Sequence, residues 1–287
     1  MISINTNYGG LYASKAASES QRTLDTAMER LSTGMRINYA KDDSAGQAIS
    51  TRLSAEVQGL EMASKNAADA QSMIDTAEGA LQETSNLLLR MRELAVQSAN
   101  GTLVQSDRDA LDAEFQALEA EIDRINSNTS WAGIALFDGN AKTFQVGTKA
   151  GGANYLEHTF ASMGPHNLGI DSDGADNDSS TAGDNVANAT LTTQANAQAM
   201  VTALDTAINS VSAERGKLGA VSNRLTSTMA NLDQVAVNLS ASQGRIQDAD
   251  FAAETSNLAK SQILQQAATA MLAQANASKQ TVLALVR

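Results

Sequence analysis

The sequence predicts a mainly α fold: long antiparallel helices from the N- and C-terminal segments form a coiled-coil bundle and flank a small central insert that contains a β-hairpin. Three observations lead to this prediction. Apolar residues recur in alternating steps of three and four along both terminal thirds, which is the spacing of one helix face. The 287 residues include a single proline, Pro165 near mid-chain, so both ends lack the strongest helix breaker. Gly, Asp and Asn gather in the middle of the chain, where they favour turns.

The N-terminal third is predicted to be helical from about Asn5 to Asn100. Interruptions are expected near Gly34 and at residues 41–46, where Asp, Ser and Gly cluster. The apolar stripe of the first helix includes Leu24, Met28 and Leu31. The sequence therefore predicts two helices joined by a short connection.

The second helix carries a longer apolar stripe without a break. Its members are Leu60, Ala63, Ala67, Ala70, Ile74, Ala77, Leu81, Thr84, Leu88, Met91 and Ala95. A neighbouring face repeats an apolar residue every seven positions, at Met73, Ala80, Leu87 and Leu94. Two such faces predict contact with more than one neighbour. A third helix is predicted from about Ser106, with an apolar face at Leu111, Phe115, Leu118, Ile122 and Ile125.

The C-terminal third is the most regular part of the chain. Its first stripe consists of Val201, Leu204, Ile208, Val211, Arg215, Leu218, Ser222, Leu225, Met229, Leu232, Ala236 and Leu239. This spacing predicts a coiled-coil seam, because it persists for several heptads. The stripe of the last helix consists of Leu264, Ala268, Met271, Ala275, Ser278, Val282 and Leu285. We expect the two helical ends of the chain to pack on each other.

The central zone, from Trp131 to about Leu191, has a different composition. Short β-prone runs at 133–137 and 142–146 surround Asp138-Gly139-Asn140, which is a hairpin signal. The run from 155 to 160 predicts a further strand, and the polar residues of 171–184 predict an exposed loop.

The composition excludes several classes of function. The chain has no cysteine and only two histidines, His158 and His166, so thiolate sites, multi-histidine metal sites and a Ser-His-Asp triad lack their residues. A net charge of -12 repels phosphate backbones, which argues against nucleic acid as a partner. No stretch approaches the ~20 apolar residues of a membrane span. The N-terminus lacks the basic and apolar regions of a cleaved secretory signal, so we expect none.

The acidic run from Asp171 to Asp178 does not fit a calcium loop. Ala175 and Asp176 stand where such a loop places an oxygen ligand and a glycine. The two histidines are interpreted as packing or surface residues, because neither lies in a metallopeptidase motif. The sequence therefore predicts no enzyme, no metal site and no cofactor, and leaves self-assembly as the function of the amphipathic ends.

Several segments carry a resemblance to a known family. RINYAKDDSAGQAIS at 36–50, MRELAVQSAN at 91–100 and the long run at 223–267 resemble the signature blocks of bacterial flagellin. WAGIALFDG from Trp131 and FQVG from Phe144 are similar to the β-hairpin that follows the helices in that family. The resemblance covers about residues 1–147 and 195–287, and the short middle zone resembles a form with a reduced variable region.

The resemblance implies a structural subunit that polymerises with itself into the extracellular flagellar filament used for motility. It implies export through the flagellar type III pathway, and as partners an export chaperone and the cap and hook-associated proteins. A flagellin-like junction protein between hook and filament is the alternative. A second alternative from another class is an enzyme in the insert that uses the acidic loop.

The resemblance also implies roles for individual residues and a division into domains. Self-assembly is expected of Leu24, Met28, Leu31, Leu264, Met271, Val282 and Leu285. An interdomain connection is expected of Arg36, Asn38, Asp42, Asp43 and Gly46. Contact with a host Toll-like receptor is implied for Arg90, Leu94 and Glu114. The expected domains are a terminal coiled coil of 1–45 and 245–287, an inner helical domain of 46–147 and 195–244, and a surface insert of 148–194.

Overall fold

The computed structural model describes residues 6–149, 151–171 and 190–285, without the side chains of Ala153 and of 279–285. The helices are α1 (Tyr8–Thr33), α2 (Ser44–Ser98), α3 (Gln105–Asn128), α4 (Pro165–Leu168), α5 (Gln194–Gln247) and α6 (Phe251–Leu285). The strands are β1 (Ser130–Trp131), β2 (Ile134–Ala135), β3 (Ala141–Gln145) and β4 (Tyr155–Thr159). The predicted mainly α fold with a small central β region is confirmed.

The contacts within the chain divide it into two compact units. The first unit contains 1–58 and 236–287, and the second contains 59–235. The boundaries fall inside α2 and α5, so helix continuity alone does not define a unit. The sequence-based domain boundaries at 45, 147, 194 and 244 stay a prediction.

The first unit is built on the pairing of α1 with α6. The residues that α1 buries are small: Gly10, Ala13, Ser20 and Ala27. On α6 the buried positions are Glu254, Ser261 and Ala268. Within each set, neighbouring members are three or seven positions apart, which keeps them on one helix face. Small side chains let two helices approach closely, but they remove little apolar area from water. The predicted packing of the two chain ends on each other is therefore present, with a thin interface.

The second unit is built on the seam between α2 and α5. Every residue of the predicted stripe from Leu60 to Ala95 is buried. On α5 every second member of the predicted stripe from Leu204 onward is buried: Leu204, Val211, Leu218, Leu225 and Leu232. The positions between them in the predicted stripe, such as Ile208 and Met229, are half-buried. Ala207, Glu214 and Val221, each one residue before the predicted Ile208, Arg215 and Ser222, are buried instead, so the heptad pattern predicted only half of this face.

Polar pairs flank this seam and define its register. Ser64 bonds Asp233, Gln71 bonds Ser222, Glu78 pairs with Arg215, and Arg92 pairs with Asp205, at 3.1, 2.9, 2.8 and 2.6 Å. The four α2 residues are spaced by seven or fourteen positions. As their residue numbers rise, the residue numbers of their α5 partners fall. The two helices are thus antiparallel. Exposed pairs of this kind contribute about 0–1 kcal/mol each, so they define alignment more than stability.

The predicted hairpin around Asp138-Gly139-Asn140 is wrong in its pairing. The run before this turn forms β2, which pairs antiparallel with β1, and the run after it forms β3, which pairs with β4. The actual tight hairpin has its turn at Ala132-Gly133, with φ of 49° and 83°. Positive φ at both central residues is what a type I′ turn requires. The sequence signal at Asp138 was a genuine turn, but it joins two separate sheets.

The turn at Asp138 is held by its own side chain. The carboxylate accepts a hydrogen bond from Lys142 Nζ at 2.6 Å and from the Asn140 backbone N–H at 3.0 Å. The Lys142 ammonium and the Asn140 donors lower the pKa of Asp138 to about 2. Gly139 has φ of 73°, which a residue without Cβ adopts at no steric cost. The predicted strand at 155–160 is confirmed as β4.

The chain that returns from the insert is anchored to α2 and α3. The Leu191 N–H donates to Asp112 at 2.6 Å, and its carbonyl accepts from the Ser98 hydroxyl at 2.7 Å. Arg108 donates to the Ser98 carbonyl at 2.7 Å. All four residues are buried, so each buried polar group has a partner here. Of the predicted acidic loop, only Asp171 is among the described residues.

The seam makes a direct prediction for stability. Replacing Leu88, which is fully buried, with alanine should lower the free energy of unfolding by about 2–5 kcal/mol, because the lost side chain leaves a cavity. Its neighbour Leu89 is 49% exposed, so Leu89→Ala is the matched control and should change stability by less than about 0.5 kcal/mol. Urea denaturation followed by circular dichroism measures both. Equal losses in the two variants would show that the seam is placed incorrectly.

Candidate functional site

Two features of the first unit hold the residues that the sequence assigned to assembly and to the interdomain connection; the residues implied in receptor contact lie in the second unit. One is the connector, residues 34–43 with 246–250, which joins α1 to α2 and α5 to α6. The other is the surface of the α1–α6 pair. The five predicted connection residues, Arg36, Asn38, Asp42, Asp43 and Gly46, all lie in the connector or in the first turn of α2 that follows it.

The two chain segments of the connector are joined by backbone hydrogen bonds. The Arg36 N–H donates to the Gln247 carbonyl at 2.6 Å, and the Ala249 N–H donates to the Gly34 carbonyl at 2.9 Å. The Arg36 guanidinium donates to the Ile246 carbonyl. Gly34 ends α1 in the left-handed conformation, with φ of 73°, a common helix end. The α1–α2 and α5–α6 connections are therefore paired with each other.

Two adjacent aspartates shape the start of α2 in different ways. Asp42 accepts from the N–H groups of Tyr39 and Asn38 at 3.0 and 3.2 Å, and the Tyr39 bond is the main cause that lowers the pKa of Asp42. Asp43 precedes α2 and accepts from the Gly46 N–H at 2.9 Å, which is the geometry of an N-cap. The Asn38 amide donates to the Met35 carbonyl at 3.2 Å.

Sequence reasoning missed the residues that fill the connector. Ile37 is almost fully buried, and a Cβ at Gly46 would lie 2.7 Å from its Cδ1. The Gln247 side chain accepts from the Ser50 hydroxyl at 2.7 Å and lies 3.0 Å from the Met35 sulfur. A lone isoleucine between polar residues was the available signal for Ile37. Nothing in local spacing pointed to Gln247, because its partners lie about two hundred residues away.

The predicted assembly residues fall into three groups. Leu24 and Leu31 are half-buried, in the same three-and-four register as the buried residues of α1. Met28, Leu264 and Met271 are exposed, with Met271 at 63%. The side chains of Val282 and Leu285 lie outside the described part. The face that α6 buries runs through Leu258, Ser261, Gln265 and Ala268 instead of through the predicted Leu264–Met271 line.

Further apolar side chains stand exposed on the same two helices. They are Tyr8, Leu11 and Tyr12 on α1 and Ile263 on α6, with Tyr12 at 76% exposure. Few polar contacts among the described residues join the two helices: the Gln265 amide donates to Gln21 at 2.6 Å, the Asn7 amide at the start of α1 donates to Asn276 at 3.2 Å, and Arg30 lies 3.8 Å from Glu254. The pair thus leaves most of its large apolar side chains without cover from this chain.

The three residues implied in receptor contact differ in exposure. The Arg90 guanidinium donates to Glu114 at 2.7 Å and to Glu93 at 3.0 Å, and these contacts raise the pKa of Arg90. Arg90 and Glu114 are both exposed. Leu94 is 1% exposed and belongs to the core of the second unit. Only Arg90 and Glu114 of this set therefore present their side chains to solvent.

Neither a cluster of metal ligands nor a membrane-spanning helix is found among the described residues. Among them, no group of three or more acidic or histidine side chains is arranged to hold a metal ion. No helix in the described ranges is long and apolar enough to cross a bilayer. Glu157 and His158 lie in β4, and His166 lies in the short α4.

The first turn of α2 yields a prediction with an internal control. Gly46→Ala should destabilise the protein by about 1–3 kcal/mol, because a Cβ there would lie 2.5 Å from Asp43 Oδ2 and would displace the cap or Ile37. Gly79 lies in the same helix with no atom within 4 Å of a built Cβ. Gly79→Ala should therefore stabilise by about 0.5–1 kcal/mol. Thermal denaturation distinguishes the two, and a neutral or stabilising Gly46→Ala would contradict the connector geometry.

Comparisons with known proteins agree with the arrangement of the helices. A family model of the bacterial flagellin N-terminal helical region matches residues 4–142, and one of the C-terminal helical region matches residues 201–286. A flagellin of Halalkalibacterium halodurans is 42% identical over 261 residues, 91% of each chain. A flagellin of Bacillus subtilis is 41% identical over 307 residues, 99% of each chain.

A likeness among solved structures concerns the fold alone. A structure from Vibrio parahaemolyticus assigned to a flagellar hook-associated protein aligns with a TM-score of 0.59 at 16% identity, and it covers 72% of this chain and all of that one. The two family models together match both terminal regions, and the flagellin relatives are similar over nearly their whole length. The chain belongs to the bacterial flagellin family.

Proposed function

We propose that this chain is the structural subunit that polymerises with itself into the extracellular bacterial flagellar filament used for motility. Its role is structural, as that of the family is. The observation that carries the proposal is the α1–α6 pair, whose buried positions are mostly small and most of whose large apolar side chains are exposed.

Exposed apolar residues on this scale need cover from another molecule. Tyr8, Leu11, Tyr12 and Met28 on α1 and Ile263, Leu264 and Met271 on α6 are all exposed in the single chain. Contiguous exposed apolar surface is typical of interaction sites. A second copy of the chain supplies the same helices, and a heterologous contact that does not close builds a helical filament. Self-assembly therefore explains why the exposed face is apolar.

The connector supports a role for residues 36–46 in assembly. It ties the α1–α2 junction to the α5–α6 junction through paired backbone bonds and two capped helix starts. We infer that this arrangement fixes the direction in which α1 and α6 leave the connector. Each subunit would then offer the same surface to the next.

The remaining partners follow from membership of the family. We infer export through the type III pathway, an export chaperone, and cap and hook-associated proteins. The absence of cysteine is compatible with export of an unfolded chain, since no disulfide can form beforehand. Recognition by a host Toll-like receptor would use the exposed Arg90–Glu114 pair, since Leu94 is buried.

The junction-protein alternative is weaker than the filament reading. Its support is the 16%-identical hook-associated structure, which carries fold information only, whereas relatives above 40% identity are flagellins. Seeded growth separates the two functions. Purified monomer of a filament subunit should keep elongating short filament fragments while monomer is present, whereas a junction protein should not. Light scattering and electron microscopy follow the growth.

The exposed α6 residues give the sharpest assembly prediction. The double variant Leu264→Glu, Met271→Glu should remain a folded helical monomer, because both side chains face away from α1. It should not elongate seeds, because charge replaces the apolar contact. Gln262→Glu, an exposed polar position two residues from Leu264, is the matched control and should elongate normally.

Circular dichroism verifies that the two proteins have the same helix content before the growth assay. Normal filaments from the double variant would remove these residues from the assembly surface. Loss of growth in both variants would mean that added charge anywhere on α6 is harmful, and would likewise count against the specific face proposed.

A further inference from the structure

One buried ionisable cluster in the second unit has no part in assembly as described above. His158 lies in β4, and the alternation of the strand places Leu156 and His158 on its buried face. Glu214 of α5 is 2% exposed, and its Oε1 lies 3.8 Å from His158 Nε2. That nitrogen is buried and makes no hydrogen bond. A buried imidazole with an unbonded nitrogen beside a buried carboxylate is unusual, because buried polar groups are nearly always bonded.

We propose that His158, Glu214 and Phe160 form an acid-sensitive catch, which holds β4 and the segment after it on α5 while His158 is neutral and releases them when His158 is protonated. The catch is a local device of the second unit. It extends beyond the filament function and does not depend on it.

The neutral state is well accommodated. The His158 and Phe160 rings meet edge to face, with centroids 4.8 Å apart and an interplanar angle of 87°, a favourable arrangement for two rings. Phe160 is fully buried. The Glu214 carboxylate is already bonded by Lys217 Nζ at 2.9 Å and approached by the Ala161 N–H at 3.4 Å. The Glu214 carboxylate therefore has its own charged partner and does not require a protonated His158.

The charged state is accommodated poorly. Burial lowers the pKa of His158, Glu214 opposes this shift, and Lys217 adds to it. On the partner strand Lys142 lies directly opposite His158 in register, on the half-buried face of β3. The Lys142 ammonium is neutralised by Asp138 at 2.6 Å. The cation that opposes an imidazolium is therefore Lys217 of α5, in a site where burial already disfavours the charged form.

The sign of the pH effect follows from linkage. The folded chain binds the imidazole proton less tightly than the unfolded chain, whose histidine pKa is about 6.5. The stability given by neutral His158 is therefore complete above that value and is lost as the pH falls towards the lower folded pKa. Release on acidification would loosen β4 and residues 160–163, which follow it.

Hydrogen exchange at single amides, corrected for the intrinsic pH dependence of exchange, tests the catch between about pH 7.5 and 5. In the unmodified protein, protection of the β3–β4 amides and of residues 160–163 should fall as the pH decreases, while the α2–α5 seam stays protected. His158→Gln has no group that titrates in this range, so it should lose this dependence. His166→Gln is the matched control, since His166 is the other histidine and is exposed, and it should keep the dependence.

A second variant tests the catch if His158→Gln does not fold. Glu214→Gln keeps the size of the side chain but removes the charge that favours the imidazolium. It should lower the pKa of His158 measured by NMR and deepen the loss of protection in acid. The proposal is overturned if His158 titrates at or above about 6.5 in the unmodified protein, or if His158→Gln loses protection in acid as the unmodified protein does.

Discussion

The structure depends on the burial of one apolar seam between α2 and α5. Large seam residues such as Leu81, Leu88 and Leu218 each contribute about 1.5–3 kcal/mol when fully buried. The alanines between them let the two helices approach closely. The heptad repeat of the seam specifies the partner face, and the flanking polar pairs match only in the antiparallel direction. α3, the β strands and the chain returning at Leu191 then pack on the faces that the seam leaves free.

The two units differ in which apolar residues they bury. In the second unit, large side chains point inward, and buried polar groups such as Asp112 and Arg108 find partners. In the first unit, α1 and α6 bury mainly glycine, alanine and serine, and they expose tyrosine, leucine, isoleucine and methionine. Such a helix pair is marginal alone in water. Under the proposed function, a copy of the chain would supply the missing cover.

Much of the fold could be predicted because helix periodicity is a local property. The stripe at 60–95 is found buried where it was predicted, and on α5 so are Leu204, Val211, Leu218, Leu225 and Leu232, whereas the predicted members between them are only half-buried. The error at Asp138 has a physical cause: Asp-Gly favours a turn, but the choice of strand partner was decided by the type I′ turn at Ala132-Gly133 and by β4. Strand pairing is a non-local property, and local turn signals do not determine it.

The residues of the candidate site could be predicted only in part. Arg36–Gly46 could be found from its family motif, and Asp43 from its position before a helix. The contacts of Gln247, Ser50 and Ile37 depend on chain segments that are distant in sequence, so no spacing rule indicated them. On α6, apolar spacing identified exposed residues along with buried ones, because an exposed apolar face and a core face have the same periodicity.

The most direct test of the account is a cryo-electron microscopy reconstruction of the assembled protein at side-chain resolution. The account predicts that each subunit keeps its α1–α6 pair. It also predicts that Tyr12, Ile263, Leu264 and Met271 become buried against neighbouring copies. Filaments in which these side chains still face solvent, with contacts between subunits confined to the second unit, would contradict it.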